Sequence, residues 1–236
     1  MTSLRDRADA AAQVLVGDLD DVALDEPDVH HLFRVLRLRA GEAVVAFDGA
    51  GGWRRCTVAG GGLEADGAVI HEAAPSPALT VWLPALKGER SEWAVQKLTE
   101  LGVDEIGLLR CARGTVRLDE AGAARVLARW GRVVREAACQ SRRTWLPRLL
   151  GPLDPAAAHA SGARLCELDG SGDARTVHAL AVGPEGGWSP DERPDDDEAV
   201  GLADAVLRTE TAAVAAGAAL VAARRTARHD ASADAP

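Results

Sequence analysis

The chain has 236 residues, 47% hydrophobic and 27% charged, with a mean hydropathy of -0.07, which excludes a disordered chain and leaves room for one large domain or two modest ones. The formal net charge of -9 argues against a nucleic-acid binder when taken alone. The charge is unevenly spread, however: residues 1–85 are net -6, residues 86–150 net +5 and residues 151–236 net -8, so a central basic block can still hold a phosphate backbone.

No window approaches the roughly 18 consecutive apolar residues of a membrane span. The opening MTSLRDRADAAAQVLVGD mixes acids with arginines and has no cleavable apolar stretch, so the expected address is cytoplasmic, with no membrane partner. Cys56, Cys111, Cys139 and Cys166 are scattered, without C-x-x-C or clustered histidines, and neither a disulfide framework nor a metal site is expected. Of the 27 basic residues 25 are Arg, which suits bidentate phosphate contact, although the absence of Asn and Tyr points to a compositional bias behind much of that excess.

Taken in chain order, QVLV (13–16), AVVAFDG (43–49), WRRCTVAG (53–60) and GAVIHEA (67–73) read as short strands broken by Gly turns, the pattern of a small β-barrel or sandwich. Between them Asp28 is expected to cap a short helix through HHLFRVLR. GGGLEA (60–65) fits G-x-G-x-x-A, but a strand follows it where a dinucleotide site needs a helix, so it reads as a hairpin turn. AAPSPA (73–78) reads as a linker.

Beyond it the pattern alternates: strand LTVWLPAL, helix SEWAVQKLTELG with Trp93 and Leu98 in the core, strand DEIGLLRC, then a helix from Asp119 to Ser141. That helix has an apolar stripe of Val126, Leu127, Trp130, Val133, Val134 and Ala137. Strands RLCEL (164–168) and HALAV (178–182) precede an Ala-rich helix from Thr209 to Ala227. These are the elements of an α/β domain with a largely parallel sheet. The expected division is 1–73 for the barrel, 74–78 for the linker, 79–228 for the α/β domain and 229–236 for a loose tail.

Two strand-to-helix junctions stand out. AVGPEGGWSPDE (181–192) runs a strand into Gly183-Pro184-Glu185-Gly186-Gly187, and Ser189-Pro190-Asp191-Glu192 has the spacing of a capping box. Paired glycines there let the backbone approach a ligand closely. GLADAVLRTETAAVAA (201–216) reads as a second strand ending at Leu207-Arg208, with Thr209 capping the helix that contains Glu210. Two such junctions at the C-terminal ends of neighbouring strands are the usual place for an α/β ligand site. Gln140, Ser141, Arg142 and Arg143 at a helix end, with Arg113 and Arg117 upstream, exceed what capping requires and suit RNA backbone contact.

The stretches HHLFRVLRLRAGEAVVAFDGAGG, KGERSEWAVQKLTELGV, REAACQSRRTWLP, AVGPEGGWSPDE and VLRTETA, in this order and spacing, resemble the RsmE-type 16S ribosomal RNA uridine-N3 methyltransferases of the SPOUT class. The resemblance runs nearly end to end. It implies a PUA-like β-barrel followed by a trefoil-knotted SPOUT domain, S-adenosylmethionine as cofactor, a homodimer, and 16S rRNA or the small ribosomal subunit as partner. Carried over residue by residue, it implies cofactor contacts at Leu165, Glu167, Val182, Gly183, Glu185, Gly186, Gly187, Leu202 and Leu207. Arg208 and Glu210 become the catalytic candidates, and Arg34, Arg37, Arg113, Gln140 and Arg143 the RNA contacts.

The chain departs from the family pattern twice. The family commonly reads LGPRVLR where this chain has Leu202-Ala203-Asp204-Ala205-Val206-Leu207-Arg208, and EQSGR where it has Cys139-Gln140-Ser141-Arg142-Arg143. Two other functions stay open from the residues alone. One is a knotted RNA methyltransferase acting on a ribose 2′-oxygen or a tRNA base; the other is a non-catalytic RNA-binding assembly factor.

Overall fold

The computed structural model describes residues 4–193 and 199–233, and the chain divides into two compact units. The first comprises residues 1–74 with 135–146. After a short helix α1 (Leu4–Ala8) it forms a sheet in the order β1 (Ala12–Leu15), β2 (Ala43–Phe47), β3 (Gly52–Ala59), β4 (Gly62–His71), with β1 and β2 parallel and the rest antiparallel. β2 is buried on both faces, which is why AVVAF reads as an unbroken apolar run. Val44 and Ala46 join Leu32, Cys56 and Val58 on one side; Val45 and Phe47 join Trp53 and Ala138 on the other. Ala138 explains why residues 135–146, expected to belong with the α/β domain, pack here instead.

The β3–β4 turn is the hairpin expected at GGGLEA, with Gly60 at φ +57° and Gly61 at φ +82°, the left-handed pair of a tight two-residue loop. The capping expectation at Asp28 is corrected. Asp25 caps helix α2 (Glu26–His30) by accepting from the Asp28 backbone N–H at 2.8 Å, while the Asp28 carboxylate lies inside the helix and takes the Arg135 guanidinium at 2.5 Å. Asp25 precedes Pro27, which suits the first turn, so the cap sits one residue before the Glu-Pro pair.

The second unit, residues 75–134 and 147–236, holds a five-stranded parallel sheet in the order β7 (Arg148–Leu153), β6 (Glu105–Leu109), β5 (Thr80–Pro84), β9 (Ala179–Val182), β8 (Arg164–Cys166). Central β5 is buried at every position. Helix α3 (Arg90–Leu101) packs on α6 (Thr209–Ala233), and Gly217 permits the approach: a Cβ there would lie 2.5 Å from Leu98 Cδ2. Helix α4 (Glu120–Ser141) starts one residue after its cap, Asp119, whose carboxylate accepts from the Gly122 N–H at 2.7 Å.

Several expectations change here. Trp93 is 46% exposed rather than in the core, because it points away from the face of α3 that buries Ala94, Val95 and Leu98. β7 carries no strand signal in the sequence because RLLGPL contains Gly-Pro, which is tolerated there on an edge strand. α5 (Pro155–Ala160), capped by Asp154, gives no helical periodicity either, being only six residues long. The segment 201–208 is a loop, not a strand; Val200, just before it, bridges to Cys166 at the end of β8, and Val206 is 82% exposed.

Helix α6 continues past Ala227 to Ala233, with Arg224 donating to the Pro77 and Gly102 carbonyls and Arg228 to that of Ser76. Residues 229–233 are therefore helical, and the rest of the expected tail, 234–236, lies outside the described residues. Ala216 of α6 is fully buried within its own chain.

Candidate functional site

At the C-terminal ends of β8 and β9 three loops enclose a cavity of about 300 Å³. This is where an open parallel sheet places its ligands. The first loop, 166–169, leaves β8 with the Glu167 N–H bonded to the Val200 carbonyl at 3.1 Å. Beside it two glycines cross: a Cβ on Gly170 would lie 2.5 Å from the Ala199 oxygen and the Gly201 nitrogen, and one on Gly201 would lie 2.5 Å from the Gly170 oxygen. No side chain fits at either position, so the crossing needs both glycines.

The second loop, 183–188, turns back with the Gly187 N–H bonded to the Pro184 carbonyl at 2.8 Å and Gly187 at φ +67°. Trp188, 4% exposed, packs its ring over Gly183 and donates its indole N–H to the Cys166 carbonyl at 3.1 Å, tying the second loop to the first. The Glu192 carboxylate accepts from the Ser189 and Ala112 backbone N–H groups at 2.8 and 2.6 Å. Its charge adds to burial, the larger cause, in pushing the nearby Cys111 thiol up to about 12. The anticipated helix after Ser189 is a single 3₁₀ turn, Pro190–Glu192. The third loop supplies Leu202, Ala203, Ala205, Val206 and Leu207, and Thr209 closes the wall by donating its hydroxyl to the Gly183 carbonyl at 3.1 Å.

Electrostatics converge on one corner. Arg90, at the start of α3, donates to Glu185 at 2.5 Å and lies 3.5 Å from Glu210 Oε2 at the start of α6. The Arg90 hydrogen bond is the main reason the Glu185 carboxyl sits below the usual range, with the charges of Arg208 and Lys87 adding to it. Glu210 is only 9% exposed, and its Oε2 has no aligned donor.

Of the expected cofactor residues, Glu167, Val182, Gly183, Glu185, Gly187, Leu202 and Leu207 line the cavity. Leu165 lies behind it in the core at 1% exposure, and Gly186 faces Arg113 instead. Arg208 is exposed and Glu210 buried; neither lines the cavity. Arg113, expected to touch RNA, donates to the Gly186 and Trp188 carbonyls at 3.3 and 3.0 Å and thus braces the glycine loop. In the first unit Arg34, Arg37 and Gln140 are exposed, whereas Arg143 spends its Nε donor on the Trp145 carbonyl at 3.1 Å.

Arg90, Trp188 and Arg193 were not assigned to the site from sequence. Trp188 directly follows the paired glycines, and that adjacency was the available signal. Among the described residues no group of three or more His, Cys, Asp or Glu could hold a metal ion.

A pocket at the C-terminal edge of a parallel sheet, built from glycine-rich main chain and apolar loop residues, defines an α/β ligand-binding domain, and family models give its class. Residues 74–221 match the RNA methyltransferase domain and residues 24–65 the RNA methyltransferase PUA domain. The chain belongs to the RNA methyltransferase family that includes the ribosomal RNA small subunit methyltransferases E. It is 39% identical to the protein of that name from Mycobacterium tuberculosis over 89% of this chain and 88% of the relative.

Among solved structures, a Legionella pneumophila methyltransferase with bound cofactor SAM matches with a TM-score of 0.76 and 26% identity, covering 89% of this chain and 97% of the other. A Neisseria gonorrhoeae ribosomal RNA small subunit methyltransferase E bound to S-adenosyl methionine matches with a TM-score of 0.70 and 28% identity, covering 92% and 97%.

Proposed function

We propose that the protein transfers a methyl group from S-adenosylmethionine to N3 of a uridine in 16S rRNA of the small ribosomal subunit. The observation that carries this reading is the convergence of the 166–169, 183–188 and 202–209 loops on one cavity, in a chain of this family. The residues fit the cofactor. Gly187, with nothing within 4 Å of where its Cβ would be, leaves main chain open to it, Leu202 and Leu207 offer apolar edges to adenine, and Glu167 and Asp169 offer acceptors to its hydroxyls and cationic groups. The Ala203–Ala205 departure falls on this wall, where Ala205 replaces a family cation with a small apolar lining residue.

When bound, S-adenosylmethionine supplies a methyl group on a sulfonium that carries its own leaving group. This chain's residues then have two tasks, alignment and removal of the uracil N3 proton. Glu210 Oε2, buried without an aligned donor and held near Arg90, is the proposed acceptor of that proton. Exposed Arg208, close enough to bias Glu185, is proposed to stabilise charge developing on the base.

RNA contact is assigned to Arg34, Arg37 and Gln140, while Arg113 and Arg143 support it through the loops they brace. The domain division is proposed to be functional, with the first unit holding RNA and the second the chemistry. The protein is proposed to act as a homodimer in the cytoplasm. The exposed apolar side chains Leu168 and Val206 beside the cavity give a second chain something to cover. The trefoil threading belongs to the same reading, supported by the Gly170–Gly201 crossing.

Calorimetric titration with S-adenosylmethionine tests the site: saturable one-to-one binding per chain is expected. A well-folded protein that does not bind would leave the non-catalytic RNA-binding function in its place.

A further inference from the structure

In the second unit, among the described residues, two buried carboxylate oxygens have no aligned hydrogen-bond donor: Glu210 Oε2 and Glu167 Oε1. Folded proteins satisfy nearly all such atoms, so each has lone pairs open to a further donor. Glu167 lies in the cavity wall, and its Oε1 is 2.7 Å from Arg193 Nη2, an ion pair whose N–H groups do not point along the contact. Arg193 lines the same cavity.

Both ends of this pair are fixed. The Glu167 N–H is bonded to Val200, and the Arg193 N–H closes the 3₁₀ turn onto Pro190 at 3.3 Å, a turn that Glu192 anchors to Ala112.

We propose that Arg193 is a positioning residue for the cofactor: it holds the Glu167 carboxylate in the wall as an acceptor for the vicinal ribose hydroxyls of an adenosine-containing ligand. This rests on the cofactor reading above. The choice of partner follows from charge. A carboxylate already paired with a guanidinium has little net charge left to draw in an ammonium, but its free lone pairs still accept from neutral hydroxyls. Asp169, in the same wall with no ion pair among the described residues, is the better match for a cationic group. The pair contributes little to folding, since Arg193 is 56% exposed and solvent screens such a pair. Its effect is therefore read in ligand binding and not in the melting temperature.

The test uses the full chain and calorimetry with S-adenosylhomocysteine and its 2′,3′-dideoxyribose analogue. Arg193→Ala should weaken S-adenosylhomocysteine binding about tenfold, the equivalent of 1.4 kcal/mol, and leave the weaker binding of the analogue unchanged. Arg193→Lys should retain most of the affinity. In steady state the loss should appear in KM for S-adenosylmethionine with kcat nearly kept. Wild-type affinity for S-adenosylhomocysteine in a folded Arg193→Ala variant would overturn the assignment while leaving the cofactor reading intact, as would an equal loss for both ligands. Failure of the wild-type chain to bind S-adenosylhomocysteine would overturn both.

Discussion

The two units use arginine in opposite ways. In the first, Arg7, Arg54, Arg142 and Arg143 turn inward and donate to carbonyls of their own unit, and burial holds the Arg142 guanidinium below its ordinary pKa. In the second, Arg90, Arg113 and Arg193 reach the loops of a single cavity and fix their shape. A positively charged residue type therefore does not identify an RNA contact; what its donors already hold decides the matter.

The largest effect expected is at the Gly170–Gly201 crossing of the second unit, where both glycines meet backbone and not side chains. Gly170→Ala puts a Cβ against backbone atoms at 2.5 Å that have no flexible end to move. A loss of about 3 kcal/mol is expected, read as a melting-temperature drop on the order of 10 °C. An unchanged melting temperature would mean that the two strands of chain separate easily.

Gly187→Val should act on the ligand more than on the fold. A Cβ at Gly187 meets nothing within 4 Å, so no clash follows; the cost comes from forcing a β-branched residue to φ +67°. Calorimetry should show S-adenosylmethionine affinity reduced at least about tenfold in a protein that still folds. Unchanged affinity would take this loop out of the site.

A matched pair sharpens the comparison of arginines. Arg113→Ala should weaken S-adenosylmethionine binding by about three- to tenfold, through the loss of two hydrogen bonds each worth about 0.5 kcal/mol, the low end for a partly exposed donor. Arg143→Ala should leave that affinity alone and lower the melting temperature by about 2–4 °C. The pattern reversed would contradict the division of roles between the units.

The smallest effect concerns pH. Because Arg90 depresses the Glu185 pKa, the clamp contributes above the ordinary carboxylate pKa and is lost as pH falls through the depressed value. S-adenosylmethionine affinity should thus vary little on this account from pH 8 down to about 5, falling only below the ordinary glutamate value of about 4.3. A drop centred near pH 6 would place another group in control.

The sequence made the sheet-forming runs of the second unit legible because buried parallel strands are short, apolar and bounded by Gly and Pro, as TVWLP and ALAV are. Its glycine loop was legible for the same reason that it works: Gly183, Gly186 and Gly187 have few other uses together. Elements whose role depends on distant partners were not. Trp93 is apolar by type, yet it lies five residues and about 140° around α3 from Leu98 and faces solvent, and Arg113 looks like an RNA contact until its carbonyl partners 73 and 75 residues away are seen. The 201–208 segment has the apolar composition of a strand, but its apolar residues line a cavity and a rim.

The most direct measurement is methyl transfer itself. Small ribosomal subunits from a strain lacking the gene, incubated with the protein and isotopically labelled S-adenosylmethionine, should gain label in 16S rRNA, and nucleoside mass spectrometry should place it in a single 3-methyluridine. Label on a ribose 2′-oxygen, in tRNA only, or on no RNA despite cofactor binding would contradict the account.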